Sequence, residues 1–214
     1  MKTKYIAFAF LLLLSVCSMI AVGQKAGNAE AEKVYSGLVA KAKAGEKVDF
    51  KEMRLNFAKT KGYSAFGFES DSTKAAFASI QKKDFKDAVK KAEAAIDEHF
   101  IDMDAHVAAA IAYGGLGDTA KADLHKGMYL GLVNSIISSG DGKTPETAYV
   151  VISTHEEYIV LRALGLQPTT QSLAHIKEHS YDIQDTIDTQ TKATAKIYFN
   201  IDIVWKAENE MFSK

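Results

Sequence analysis

Ser138-Ser139-Gly140-Asp141-Gly142-Lys143-Thr144-Pro145 is where the chain changes character. Before it, apolar residues recur with helical spacing. After it, they alternate or run together as in strands. Two glycines permit a sharp reversal, and Pro145 fixes the exit. The stretch contains Gly-Lys-Thr at 142–144, but a phosphate loop also needs Gly at the position held by Ile137, a strand before and a helix after. Here a helical pattern precedes and a strand pattern follows. The sequence therefore assigns 138–145 to a Gly-rich joint between two parts of an α+β chain.

Upstream of the joint, 33–137 reads as antiparallel helical hairpins. Val34, Leu38 and Val39 form a first stripe over about 33–44, after a polar lead-in at 24–32. Asp49 is a helix cap, Met53 and Phe57 share one face with Phe50 a turn before Arg54, and Gly62 is read as the stop. Lys83-Asp84-Phe85 with Ala88 then recurs as Gly117-Asp118-Thr119 with Ala122, an offset of 34 residues. Helical runs flank each turn, at 73–81 and 85–98, then at 104–116 and 120–137. Ala92, Ala95, Ala108, Ala109 and Ala112 mark places where helices can approach closely. This resembles the tetratricopeptide repeat, a unit of two antiparallel helices. Two copies need caps, which the upstream helices and the downstream sheet are expected to supply.

Downstream, 146–205 reads as a small, mainly antiparallel sheet with one helix. A short apolar strand is expected over 147–152 and a helix after Thr154, with Thr154 and Glu157 as a capping box and Gly165 as the stop. Strands are expected over 171–176 and 181–187. The clearest alternation runs from Ala195 to Trp205, with Ile197, Phe199, Ile201, Ile203 and Trp205 on one face and Tyr198, Asn200 and Asp202 on the other.

These segments carry a second resemblance. The run Gly140–Ala148, Val150-Val151-Ile152-Ser153, Glu156-Glu157-Tyr158 with Leu161, Leu164-Gly165-Leu166, Gln171-Ser172-Leu173, Tyr181-Asp182 and Tyr198-Phe199-Asn200-Ile201-Asp202 resembles the bacterial family known as domain of unknown function 4919. Residues 101–106 and 125–135 also follow its pattern. The likeness extends from about Asp49 to Asp202, and Val204-Trp205-Lys206 follows it less well. It implies a signal peptide and a chain of about this length, and it implies no known activity.

The N-terminus reads as a secretory leader over 1–23. Lys2 and Lys4 precede an apolar core at 6–16, and Ala21-Val22-Gly23 places the cleavage between Gly23 and Gln24. The expected location is periplasmic or secreted. A lipid anchor on Cys17 competes, but Val16 is not the small residue such processing prefers; only in that case is a membrane association expected. Cys17 is the sole cysteine, so cleavage leaves no disulfide, Cys nucleophile or Cys-ligated metal. The apolar content, 47% of the chain, suffices for a core without them. A formal charge of −1, more negative once the leader lysines are gone, argues against a nucleic-acid partner.

Three sets of residues are candidates for chemistry. His106 and His125 fall on the two helices of one hairpin, where a two-His-plus-carboxylate metal site would need them; buried, hydrogen-bonded histidines are the plainer expectation. His175-Ile176-Lys177-Glu178-His179 spells an inverted zincin motif, but it lies between strand patterns, where the helical geometry is lost. Tyr198, Asn200 and Asp202, with Glu157, could line a ligand site facing the helices, although a solvated sheet face accounts for the first three and helix capping for Glu157. No Gly-x-Ser-x-Gly elbow occurs. No cofactor is implied. The function expected is a non-enzymatic binding or scaffolding module with a protein or peptide partner, and the alternative is a metal-dependent hydrolase using a His pair.

Overall fold

The computed structural model describes residues 28–68 and 70–212; the expected leader, with Cys17, Gly23 and Gln24, lies outside them. Six helices come first: α1 (Ala29–Lys43), α2 (Phe50–Phe57), α3 (Asp71–Gln81), α4 (Phe85–Glu98), α5 (Met103–Gly115) and α6 (Thr119–Ile137). A 3-10 turn (Pro145–Thr147), β1 (Tyr149–Val150), α7 (Thr154–Ala163), β2 (Leu166–Ile176), β3 (His179–Asp188), β4 (Thr194–Asn200) and α8 (Asp202–Phe212) follow. The fold is α+β, with helices mostly in the N-terminal part and a four-stranded sheet in the C-terminal part. None of the described helices is long and apolar enough to cross a membrane.

The helical part is organised by its turns. Lys83 (φ 58°) and Gly117 (φ 79°) both take the left-handed conformation, and the next residue in each case, Asp84 or Asp118, caps the following helix. Two hairpins, α3–α4 and α5–α6, therefore reverse at equivalent places. Ala76, Ala88, Ala92, Ala105, Ala108, Ala109 and Ala112 are fully buried where these helices cross. Without longer side chains in the way, the backbones approach closely.

Several boundaries differ from the sequence reading. α1 begins at Ala29, inside the expected lead-in, because Asn28 Oδ1 accepts from the amides of Glu30 and Ala31. α2 ends at Phe57, before Gly62. The cap of α7 is Ser153 rather than Thr154. The 195–205 segment is not one strand: β4 stops at Asn200, whose Oδ1 accepts from the Asp202 amide and turns the chain into α8. Trp205 N then donates to Ile201 O at 2.7 Å as a helical bond. Ile201 and Val204 are buried as helical neighbours three apart. The C-terminal part thus holds two helices instead of one.

The sheet order is β1-β4-β3-β2; β4–β3 and β3–β2 are antiparallel and β1 pairs parallel with β4. A single apolar core runs through both parts, from Met53, Phe57, Ala92 and Leu132 to Val151, Leu161, Phe199 and Val204. The joint seats this arrangement. The amides of Asp141 and Gly142 both donate to Thr147 O, at 3.0 and 2.8 Å, and Tyr198 N donates to Gly142 O at 2.8 Å. A Cβ at Gly140 would lie 2.1 Å from Thr147 O, and one at Gly142 (φ 68°) 2.5 Å from the Tyr149 ring. Both glycines are required by close approach.

The two parts are also clasped by a buried ion pair. Arg54 of α2, 1% exposed, donates through Nε to Glu156 Oε1 at 2.8 Å and pairs again through Nη2 with Glu156 Oε2. It also reaches Ser135 Oγ of α6 (3.2 Å) and Val150 O of β1 (3.3 Å). Glu156 Oε2 accepts from Ile152 N at 2.8 Å.

Candidate functional site

His106 and His125 meet. α5 and α6 run antiparallel after the Gly117 turn, which brings the start of α5 beside the second turn of α6. His106 Nδ1 and His125 Nδ1 are 3.1 Å apart. His106 Nε2 lies 2.7 Å from Phe100 O, and a carbonyl can only accept, so Nε2 carries a proton. Burial lowers the His106 pKa from its ordinary 6.5 to about 4, so the ring is neutral near neutral pH. Its Nδ1 must then accept, and His125 Nδ1 donates. The other nitrogen of His125 is 3.2 Å from Glu93 Oε1 of α4. Glu93 is held below the usual carboxylate range by its hydrogen bond with His125 and a second from Tyr113, whose hydroxyl donates at 2.9 Å. His125 thus bridges His106 Nδ1 and the Glu93 carboxylate.

This row lies in a cleft of about 300 Å³ between α1, α4, α5 and α6. Ala42, Ile96, Phe100, Leu124 and Met128 give apolar walls. The Tyr113 ring stacks on His125 (centroids 5.5 Å, planes 6° apart), and Lys121 Nζ sits 4.9 Å from the Tyr113 ring centre. Burial and then the Glu93 bond push the Tyr113 hydroxyl up to about 12, so it stays a donor. Lys43, paired with Asp97 at 2.8 Å, stands at the α1 side. A mostly apolar concavity with a few converging polar groups is the usual form of a ligand site. Glu93 engages His125 at the nitrogen opposite to the one that meets His106. The three side chains therefore form a row, and among the described residues no three His, Cys, Asp or Glu surround one point.

The other candidates are dispersed. His175 and His179 flank a two-residue turn, Lys177-Glu178, with Lys177 at φ 57°. His175 pairs across with Ser180 and His179 with Ile176, so the two rings are on opposite faces of the β2–β3 hairpin. His175 meets Ser180 Oγ (3.1 Å) and the Trp205 ring; His179 Nδ1 meets Asp202 Oδ2 (2.6 Å). Asn200 and Asp202 are joined at the end of β4, with Asn200 Nδ2 donating to Asp202 Oδ2 at 3.2 Å. Asp182 pairs with Phe199, so Tyr198 and Asn200 face away from Asp182 and from Glu157, which accepts from Gln184 beyond it on the same face. The set Tyr198, Asn200, Asp202 and Glu157 is thus divided by the sheet.

Glu93, Tyr113 and Lys121 were not singled out by the sequence. Tyr113 falls seven residues after His106, on the same face of α5, a spacing that carries the signal. Glu93 is one of many charged residues on α4 and has none. Among curated proteins and among solved structures, none matches this chain. A family model described as Domain of unknown function (DUF4919) matches residues 27–210, and the chain belongs to that family.

Proposed function

We propose that this protein is an exported, non-enzymatic binding module whose tetratricopeptide-like hairpins take a short segment of a partner protein or peptide into the α1/α4/α5/α6 cleft. The observation that carries this reading is the cleft itself: apolar walls, a stacked Tyr113–His125 pair, and Lys43, Lys121 and Glu93 around it. The matching turn residues Lys83 and Gly117 support the repeat, and concave faces of helical stacks are common binding surfaces. An apolar side chain next to an acidic one fits the cleft best, the first against Leu124 and Met128, the second near Lys121. The leader at 1–23 supports export to the periplasm or beyond.

The test is an NMR titration of the isotope-labelled chain with a panel of short peptides pairing acidic and apolar residues. Shifts should concentrate on α1, α4, α5 and α6 and vanish in Leu124→Glu. Shifts confined to the sheet would overturn the reading. The metal-dependent hydrolase remains the second reading, favoured by the 3.1 Å approach of the two Nδ1 atoms, a spacing compatible with two ligands of one metal. Near-stoichiometric zinc in untagged protein, lost in His106→Ala and in His125→Ala, would replace the first reading with the second.

A further inference from the structure

β3 turns its polar face inward. Asp182, Gln184 and Thr186 are buried, while Ile183 and Ile187 between and beyond them are only half-buried. Glu157, on the first turn of α7 and fully buried, lies on this face. Its Oε2 accepts from Gln184 Nε2 at 3.1 Å, and Asp182 Oδ2 accepts from Gln171 Nε2 of β2. The other oxygens, Glu157 Oε1 and Asp182 Oδ1, are sealed from water and have no hydrogen-bond partner. The two carboxyl groups are themselves within hydrogen-bonding reach. The charges that face them are of the same sign: Glu208 from α8 beside Asp182, and Glu156 next in α7, which Arg54 already occupies. Among the described residues no lysine, arginine or histidine pairs with either group.

Two carboxylates cannot both stay ionised in contact, dry and without a cation. One proton between them turns repulsion into a short charge-assisted bond and gives each orphan oxygen a partner. We propose that Glu157 and Asp182 are a buried proton-binding site, in which one proton shared by Glu157 Oε1 and Asp182 Oδ1 fastens α7 to β3 and is given up in alkaline solution, loosening α7. Burial first, and then the Asp182 charge, raise Glu157 from 4.5 to about 8, and burial raises Asp182 as well. The folded protein thus holds a proton that the unfolded chain releases near pH 4.5. The stabilisation is complete below that pH and is lost as pH rises through about 8. α7 also carries His155, which bonds Asp104 of α5 at 2.9 Å, so loosening it disturbs the contact with the helical part.

The experiment is a titration of the side-chain carboxyl carbons of the full chain by NMR, with no substitution needed. One carboxyl of the pair should change state near pH 8; ordinary titration of both in the carboxylate range would overturn the proposal. A second measurement is urea unfolding from about pH 5 to about pH 9. The midpoint of the natural chain should fall as pH rises, and Glu157→Gln, which keeps a donor without a charge, should fall less. His155→Gln, run beside it, separates the contribution of the same sign from the His155–Asp104 bond, because His155 is also raised. An unchanged slope in Glu157→Gln would overturn the proposal. So would stabilisation by added calcium that disappears in Glu157→Gln, which would make the occupant a cation.

Discussion

The helical part and the sheet part each bury a pair of titratable side chains, and they do so in opposite ways. His106 and His125 are satisfied at every ring nitrogen: Phe100 O, each other and Glu93 complete the row. Their row ends at a cleft. Glu157 and Asp182 are left with an orphan oxygen each, sealed from water between α7 and β3. The difference shows where a protein exposes ionisable chemistry and where it uses it as a fastening. It also sets two pH limits of opposite sign. His106 is depressed, so its neutral burial favours folding above pH 6.5 and that benefit is lost as pH falls through about 4. Glu157 is raised, so its contribution is lost on the alkaline side.

The largest effect expected is on the clasp that lets the two regions be compared as one body. Arg54→Ala leaves Glu156 charged and buried without its partner, which costs about 3–5 kcal/mol. Urea unfolding should show either that loss or separate transitions for the two parts; a change under about 1 kcal/mol would show the clasp to be dispensable. Next is the joint. Gly140→Val forces a Cβ against Thr147 O and should cost at least the roughly 1–3 kcal/mol of overpacking, with Gly142→Val similar because of its positive φ. Soluble yield and thermal midpoint report this. If both variants fold normally but lose a ligand, the stretch belongs to the binding site.

A similar magnitude attaches to the acid limb. A depression from 6.5 to about 4 corresponds to about 3 kcal/mol at most, spread between those two pH values. His106→Asn should remove this acid-side fall while leaving the alkaline one. If the acid limb survives in that variant, His106 is not the group responsible. The smallest expected effect is Tyr113→Phe, which keeps the ring on His125 and removes one hydroxyl bond to Glu93. About 1 kcal/mol is expected, or less, because Glu93 is partly solvated.

Much of the fold was readable beforehand from particular residues. The Asp84 and Asp118 turns, the Gly140–Pro145 joint and the β3–β4 pairing follow from short-range chemistry that a sequence displays. Two features did not. The sequence placed a strand over 181–187 without saying which face is covered, and in the structure Asp182, Gln184 and Thr186 are buried while Ile183 and Ile187 are half-buried. Hydrophobicity cannot foresee that α7 brings Glu157 to Gln184 and Asp182 on that face. Likewise Ile201, Ile203 and Trp205 continue the strand pattern, and only the Asn200–Asp202 bond and the space over β3 turn them into α8. Arg54 carried a visible signal, a charge on the stripe of Phe50 and Phe57, but its partner Glu156 lies far along the chain.

The sequence by itself determined the order of helices before sheet, the family and the turns, because each depends on neighbours in the chain. The tertiary structure alone decided that His106 meets His125 and Glu93, that His175 and His179 part across a hairpin, and that Glu157 finds Asp182. Those meetings depend on how helices and strands cross, and burial then changes the charge that each group can carry.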